Sequence, residues 1–196
     1  QEKMKIVNAQ RNWASWIASR IMEAMSEECC LNLTGPRQGL ASFHHLMTDL
    51  VERTDSQYSY LNTLVALSDS DELAGICVSY DGASLLRLRK PFIEEAFRRF
   101  GMDHSNMSPE TSEGELYLDS LCVDANFRHR GVATALLKAS IDKARRLKLP
   151  KVGLLVDKGN PKAERLYREV GFEYVNDAEW GGHPMRHLQY DLTHSI

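Results

Sequence analysis

The chain has 196 residues, 43% of them hydrophobic, and a formal net charge of -3. That length can bury a substantial core in one domain spanning residues 1–196, and the mild acidity argues against a nucleic-acid binder working through a broad basic face; any anion site must be small and local. No apolar run reaches the ~18 residues of a membrane span, the opening QEKMKIVNAQRNW is too charged for a signal peptide, and Cys29, Cys30, Cys77 and Cys122 show neither metal-ligand spacing nor disulfide-scaffold density, so the expectation is a cytoplasmic protein with reduced thiols, no membrane partner and no metal.

KIVNA predicts a first strand, followed by a helix with its apolar stripe at Trp13, Ile17, Ile21 and Ala24. GPRQG breaks the chain, and Leu40, Phe43, Met47 and Leu50 make the stripe of a second helix. Trp16 and Met25 lie off the main stripe and suggest an apolar surface for a homodimer. YSYLNTLVAL and ELAGICVSYDG read as two antiparallel strands joined by SDSD and closed by Asp81-Gly82. Residues 84–100 carry a charge-rich helical pattern interrupted or restarted at Pro91, and GMDHSNMSPETSEG is a polar loop and the best candidate for mobility.

In ELYLDSLCVD, Leu116 and Leu118 alternate as a half-buried strand should, but the next apolar pair, Leu121 and Val123, has slipped by one residue. A bulge explains the slip, and bulges recur beside active sites; the plainer alternative is a strand buried on both faces. Next, FRHRGVATALL sets Arg128, His129 and Arg130 against Gly131 and then starts a helix with Ala133, Leu136, Leu137, Ile141 and Ala144 on one side. The first turn carries no acid and no bulk. Free N–H groups and the helix dipole make such a start an anion site, and glycine lets a phosphate reach the backbone. There is no G-x-x-x-x-G-K-[ST] and no G-x-G-x-x-G, so neither a P-loop nor a dinucleotide site is supported. KVGLLVD reads as a strand and NPKAERLYREVGF as a short helix, with Asn160 as N-cap, Pro161 in the first turn and Gly171 as terminator.

Arg128-x-x-Gly131-x-Ala133 resembles the acyl-CoA signature R/Q-x-x-G-x-G/A of the GNAT family of N-acetyltransferases. The succession strand, R-x-x-G-x-A, helix, strand, N-x-x-A-x-x-L-Y-x-x-x-G-F resembles the core of the same family over about residues 115–175, with residues about 84–112 as a helical insertion. The resemblance implies an α/β fold: a mixed, mainly antiparallel central sheet with a bulged, splayed central strand and flanking helices. It implies acetyl-CoA as co-substrate and a small-molecule or peptide amine as acceptor. Carried over residue by residue, it gives the pyrophosphate to the loop and helix start at Arg128, His129, Arg130, Gly131, Val132, Ala133 and Thr134. Backbone at Leu121, Cys122 and Val123 faces the pantetheine arm and thioester carbonyl, and Asn160 and Ala163 lie along the arm. Tyr167 falls at the CoA sulfur as general acid, and Asp119 is the first choice of general base, ahead of Glu115 on the same face, Tyr80 and Asp81. Asn160 is explained equally by capping. An acceptor pocket is expected between the hairpin, the 84–112 insertion and the C-terminal DAEWGGHPMRHLQYDL, and Trp180, Gly181, Gly182 and His183 read as a turn between the last two strands that either lines it or is a plain surface hairpin tip. The alternative function is a non-catalytic module that binds or senses acyl-CoA.

Overall fold

The computed structural model describes residues 3–194. Its strands are β1 (Lys5–Asn8), β2 (Thr63–Leu67), β3 (Leu73–Asp81), β4 (Glu115–Val123), β5 (Lys151–Asp157), β6 (Glu173–Trp180) and β7 (His183–Asp191). They form one sheet in the order β1-β2-β3-β4-β5-β7-β6. The β4–β5 pairing is parallel and the others are antiparallel, so the sheet is mixed and mainly antiparallel. Helices α1 (Ala14–Met25), α2 (Glu27–Thr34), α3 (Leu40–Glu52) and α4 (Leu85–Phe100) precede β4; α5 (Val132–Arg146) and α6 (Pro161–Val170) flank β5.

Alternation along β2 shows how the layers are built. Val65 and Leu67 join the core under α1 and α3, with Ile17, Ile21, Phe43 and Met47. Leu64 and Ala66 face the other way, into the core under α5 and α6, with Leu136, Leu137, Ile141 and Phe172. The sheet is therefore covered on both faces, as a strand buried along its whole length requires. Among the described residues no helix is long and apolar enough to cross a membrane.

The structure departs from the sequence expectations at four places. The first helix buries Ala14, Ile17, Ala18 and Ile21, while Trp13 is half-buried and Ala24 exposed, because small residues let α1 lie close to its neighbours. Trp16 and Met25 are half-buried and not fully exposed: both pack on the core, and Arg20 lies over the Trp16 ring at 5.5 Å. A separate α2 follows α1; Ser26, at φ 86°, breaks the first helix and caps the second by accepting the Cys29 N–H. Pro91 neither interrupts nor restarts α4. Leu88, Arg89, Pro91 and Phe92 are all buried, and that packing offsets the helix hydrogen bond proline cannot make. The Leu88 carbonyl, one turn before Phe92, also takes the backbone N–H of Gln57 at 2.9 Å, which ties the 53–62 connection to α4.

Candidate active site

β4 and β5 part company partway along. They pair only from Glu115–Lys151 to Tyr117–Gly153, after which β4 stays with β3 and β5 stays with β7 as far as Asp157. Beyond Tyr117 the β5-facing backbone edge of β4 has no ladder partner, and a cleft of about 1160 Å³ opens between the strands. A Cβ on Gly153 would run into the Glu115 carboxylate, which fills that space and meets His187 Nε2 at 2.7 Å and Gln189 Nε2 at 2.6 Å. Glu115 is thus a buried structural group under the sheet's hinge and does not line the cleft.

The bulge expected from the apolar slip is present. Val78 opposes Ser120 and Ser79 opposes Leu118, so Asp119 is the extra residue. Leu116, Leu118, Leu121 and Val123 all face the α5 layer as a result, while Cys122 turns to the α1 layer. Lys143 of α5 reaches the bulge from behind, its Nζ donating to the Ser79 carbonyl at 2.9 Å and Ser79 Oγ at 2.8 Å.

One end of the cleft is built for an anion. The N-cap of α5 is Gly131 at φ 77°, with no side-chain cap and no acid in the first turn, whereas α2 and α6 have both. The first amides of α5 therefore have no carbonyl partner within the helix. Gly131, Val132, Ala133 and Thr134 line the cleft together with Arg128 and His129, the latter at φ 62°. Phe127 is buried and anchors this loop. Arg130 is not among the lining residues; its guanidinium sits 5.3 Å over the Phe127 ring. Arg128 is held by Glu23 of α1 at 2.9 Å, a partner the sequence did not suggest.

Leu121, Cys122 and Val123 border the cleft. Asn160 caps α6 by accepting the Ala163 N–H at 3.2 Å, and both residues also line the cleft. Tyr167 stands one turn further on, edge-to-face with Phe172 at 6.2 Å. Burial pushes its phenol up to about 12. The β6–β7 turn is a two-residue hairpin through Gly181 and Gly182, both at positive φ, and Trp180, Gly181 and His183 line the cleft beside it.

The other end is acidic and mostly buried. Asp119 Oδ2 accepts from Tyr80 Oη at 2.5 Å and from Gln57 Nε2 at 3.1 Å. Burial raises the Asp119 carboxyl above the ordinary carboxylate range, and those two hydrogen bonds act against the rise. Glu110 lies alongside, accepting from Tyr117 Oη at 3.0 Å and facing Arg89 Nη2 at 3.4 Å. Burial, then the Asp119 charge, raises Glu110 as well. Of the other base candidates, Tyr80 supports Asp119, and Asp81 is used up in capping the turn after β3 by accepting the Ala83 N–H. Gln57, Arg89 and Glu110 escaped the sequence reading. For Glu110 the available signal was the length of the 101–114 connection, since structureless loops beyond about 12 residues are usually either functional or disordered.

The residues present fit an acyl-CoA: an uncapped helix start for a pyrophosphate, a free strand edge for an amide-bearing arm, and a phenol at the junction. Among the described residues no group of His, Cys, Asp and Glu is arranged to hold a metal ion.

Residues 36–172 match the family model described as acetyltransferase (GNAT) family. A solved structure described as an acetyltransferase is similar over 96% of this chain and 99% of its own, with 27% identity and a TM-score of 0.77. An N-acetyltransferase from Staphylococcus aureus Mu50 is similar over 94% of this chain and 99% of its own, at 21% identity and TM-score 0.78. A dodecameric spermidine N-acetyltransferase from Vibrio cholerae is similar over 97% of this chain and 94% of its own, at 14% identity and TM-score 0.59. The last two likenesses concern the fold. A search of curated proteins found no match.

Proposed function

Because the chain belongs to the acetyltransferase (GNAT) family, we propose that it moves the acetyl group of acetyl-CoA to the primary amine of an acceptor by direct attack, with both substrates held in the cleft. The observation that carries this reading is the meeting, in one cleft, of the uncapped α5 start, the free edge of β4 and the Tyr167 phenol. Acetyl-CoA brings a thioester whose carbonyl carbon is open to an amine.

The chain's own groups then have distinct tasks. The amides at the start of α5, with Arg128 and His129 beside them, hold the pyrophosphate, and Arg130, stacked on Phe127, supports the loop; Arg128 must exchange Glu23 for that anion. Backbone N–H groups of Leu121 to Val123 align the arm and stabilise the carbonyl oxygen as it gains charge. Asn160 and Ala163 bound the arm on the α6 side. Asp119 accepts a proton from the incoming ammonium, which cannot attack until it is neutral, and burial, by raising its carboxyl above the ordinary range, makes it a stronger base for that task. Tyr167 donates a hydrogen bond to the departing sulfur. Holding the two reactants in one orientation supplies much of the remaining acceleration.

The test is amine-dependent release of free CoA thiol from acetyl-CoA, with the acetylated product identified by mass spectrometry. Release and product in step support the reading. Tight CoA binding with no amine-dependent release across a broad panel makes the chain a non-catalytic acyl-CoA-binding module instead.

A further inference from the structure

We propose that Glu110 is a second acceptor-facing carboxylate in this cleft and that, with Asp119, it selects primary amines carrying no carboxylate next to the reacting nitrogen. The inference rests on the acetyl-transfer reading above and names the acceptor class for it.

Glu110 is held in place from both sides of its loop. Arg89, 2% exposed, donates to the carbonyls of Met107 at 3.1 Å and Ser108 at 3.2 Å just before it. Just after it, Thr111 Oγ1 donates to the Gly82 carbonyl at 2.6 Å. The expected mobile loop is therefore tied down, and it delivers a carboxylate with 7% exposure onto Tyr117, two residues from Asp119 on the same strand.

The charges that face this pair come from every neighbouring element. Arg89 of α4 is the cation in contact with Glu110, and Lys143 of α5 lies behind the bulge with its Nζ on Ser79. Tyr80 of β3, Tyr117 of β4, Tyr58 of the 53–62 connection and Cys29 of α2 are all held neutral by burial. Glu23 of α1 is engaged by Arg128, while Glu28 of α2 also lines the cleft. Its cationic lining residues, Arg128 and Lys162, belong to the anion end. Two carboxylates thus face one guanidinium, with Lys143 bonded to Ser79 and not to either acid, and the pair either carries a negative charge that no direct contact matches or holds a proton in its place. An ammonium supplies the missing charge. A carboxylate on the adjacent carbon would be pressed against the same two acids.

The proton account closes. The ammonium passes one proton to the carboxylate pair, the freed lone pair forms the C–N bond as the C–S bond breaks, and the nitrogen then loses a second proton. One of the two ends on the CoA thiol and the other in solvent.

Tyramine against tyrosine and agmatine against arginine are matched probes, because each amino acid adds one carboxylate beside the same amine. The decarboxylated member is expected to show a kcat/KM at least about tenfold higher in both pairs, the scale of one partly screened like-charge contact. Glu110→Gln should shrink that ratio toward one, and Glu110→Asp should retain it, with the CoA affinity of both close to the parent. Equal or reversed preference in the parent, or no turnover of either amine by a parent that binds CoA, overturns the inference, and so does an undiminished ratio in a folded Glu110→Gln. If that variant does not fold, the parent ratios decide. Failure of the parent to bind CoA overturns the acetyl-transfer reading instead.

Discussion

Replacing Tyr167 by Phe separates two accounts of the leaving group. Burial holds the phenol at about 12, while a free thiol titrates near ~8.5, so complete proton transfer to the thiolate is uphill by roughly 5 kcal/mol. Tyr167 is therefore expected to stabilise the sulfur through a hydrogen bond and to keep its proton. A hydrogen bond to a charged partner contributes about 1.5–3 kcal/mol, which predicts a fall in kcat of roughly ten- to 150-fold for Tyr167→Phe. The ring and its edge contact with Phe172 survive, so stability should change by no more than about 1 kcal/mol. The assay is CoA thiol release at saturating acetyl-CoA, with CoA affinity measured alongside and expected near the parent value. Parent-like turnover would reduce Tyr167 to a packing residue. A loss beyond about a thousandfold would mean that proton transfer itself is at stake, contradicting the hydrogen-bond account.

Three other perturbations test the frame around it. Gly131→Val places a β-branched residue at φ 77° on the α5 cap and should weaken CoA binding by at least about tenfold while the chain remains folded; calorimetry with a melting curve checks both. Gly153→Ala drives a methyl group into the Glu115 carboxylate, breaking its contacts with His187 and Gln189, and should cost about 3–5 kcal/mol in urea unfolding. Lys143 is lowered from 10.5 to about 8 by burial, so between those pH values the unfolded chain holds a proton the folded chain has lost, and stability from this group rises with pH, by at most about 3 kcal/mol. The thiols of Cys29, Cys77 and Cys122, raised by burial, act oppositely above about 9, so the measurement is the difference between parent and Lys143→Met across that window.

The parts of the site that follow from local chemistry were legible in the sequence. The slip from Leu116 and Leu118 to Leu121 and Val123 marks the bulge at Asp119 because side chains alternate along any strand. Asn160, Pro161 and Gly171 delimit α6 as caps do anywhere. What the sequence hid is set by contacts between distant segments. Glu115 fills the space over Gly153, 38 positions later in the numbering, beside the point where β4 and β5 separate. Glu110 carries no local pattern; Arg89, Tyr117 and the tie from Thr111 to Gly82 aim it. Trp16 and Met25 looked exposed from helical spacing because the sequence does not show how α1 and α2 fold back on one another. The start of α2 was readable in Ser26-Glu27-Glu28, a cap followed by first-turn acids, but a continuous helical pattern across Met25 obscured it.

The central claim is that the splayed cleft holds acetyl-CoA, and titrating CoA into the purified chain by calorimetry tests it without knowledge of the acceptor. The account predicts saturable binding at one site per chain, weakened by added salt because a pyrophosphate is being held at a helix start and basic loop. No heat of binding at high CoA concentration, from a chain shown to be folded, would contradict it.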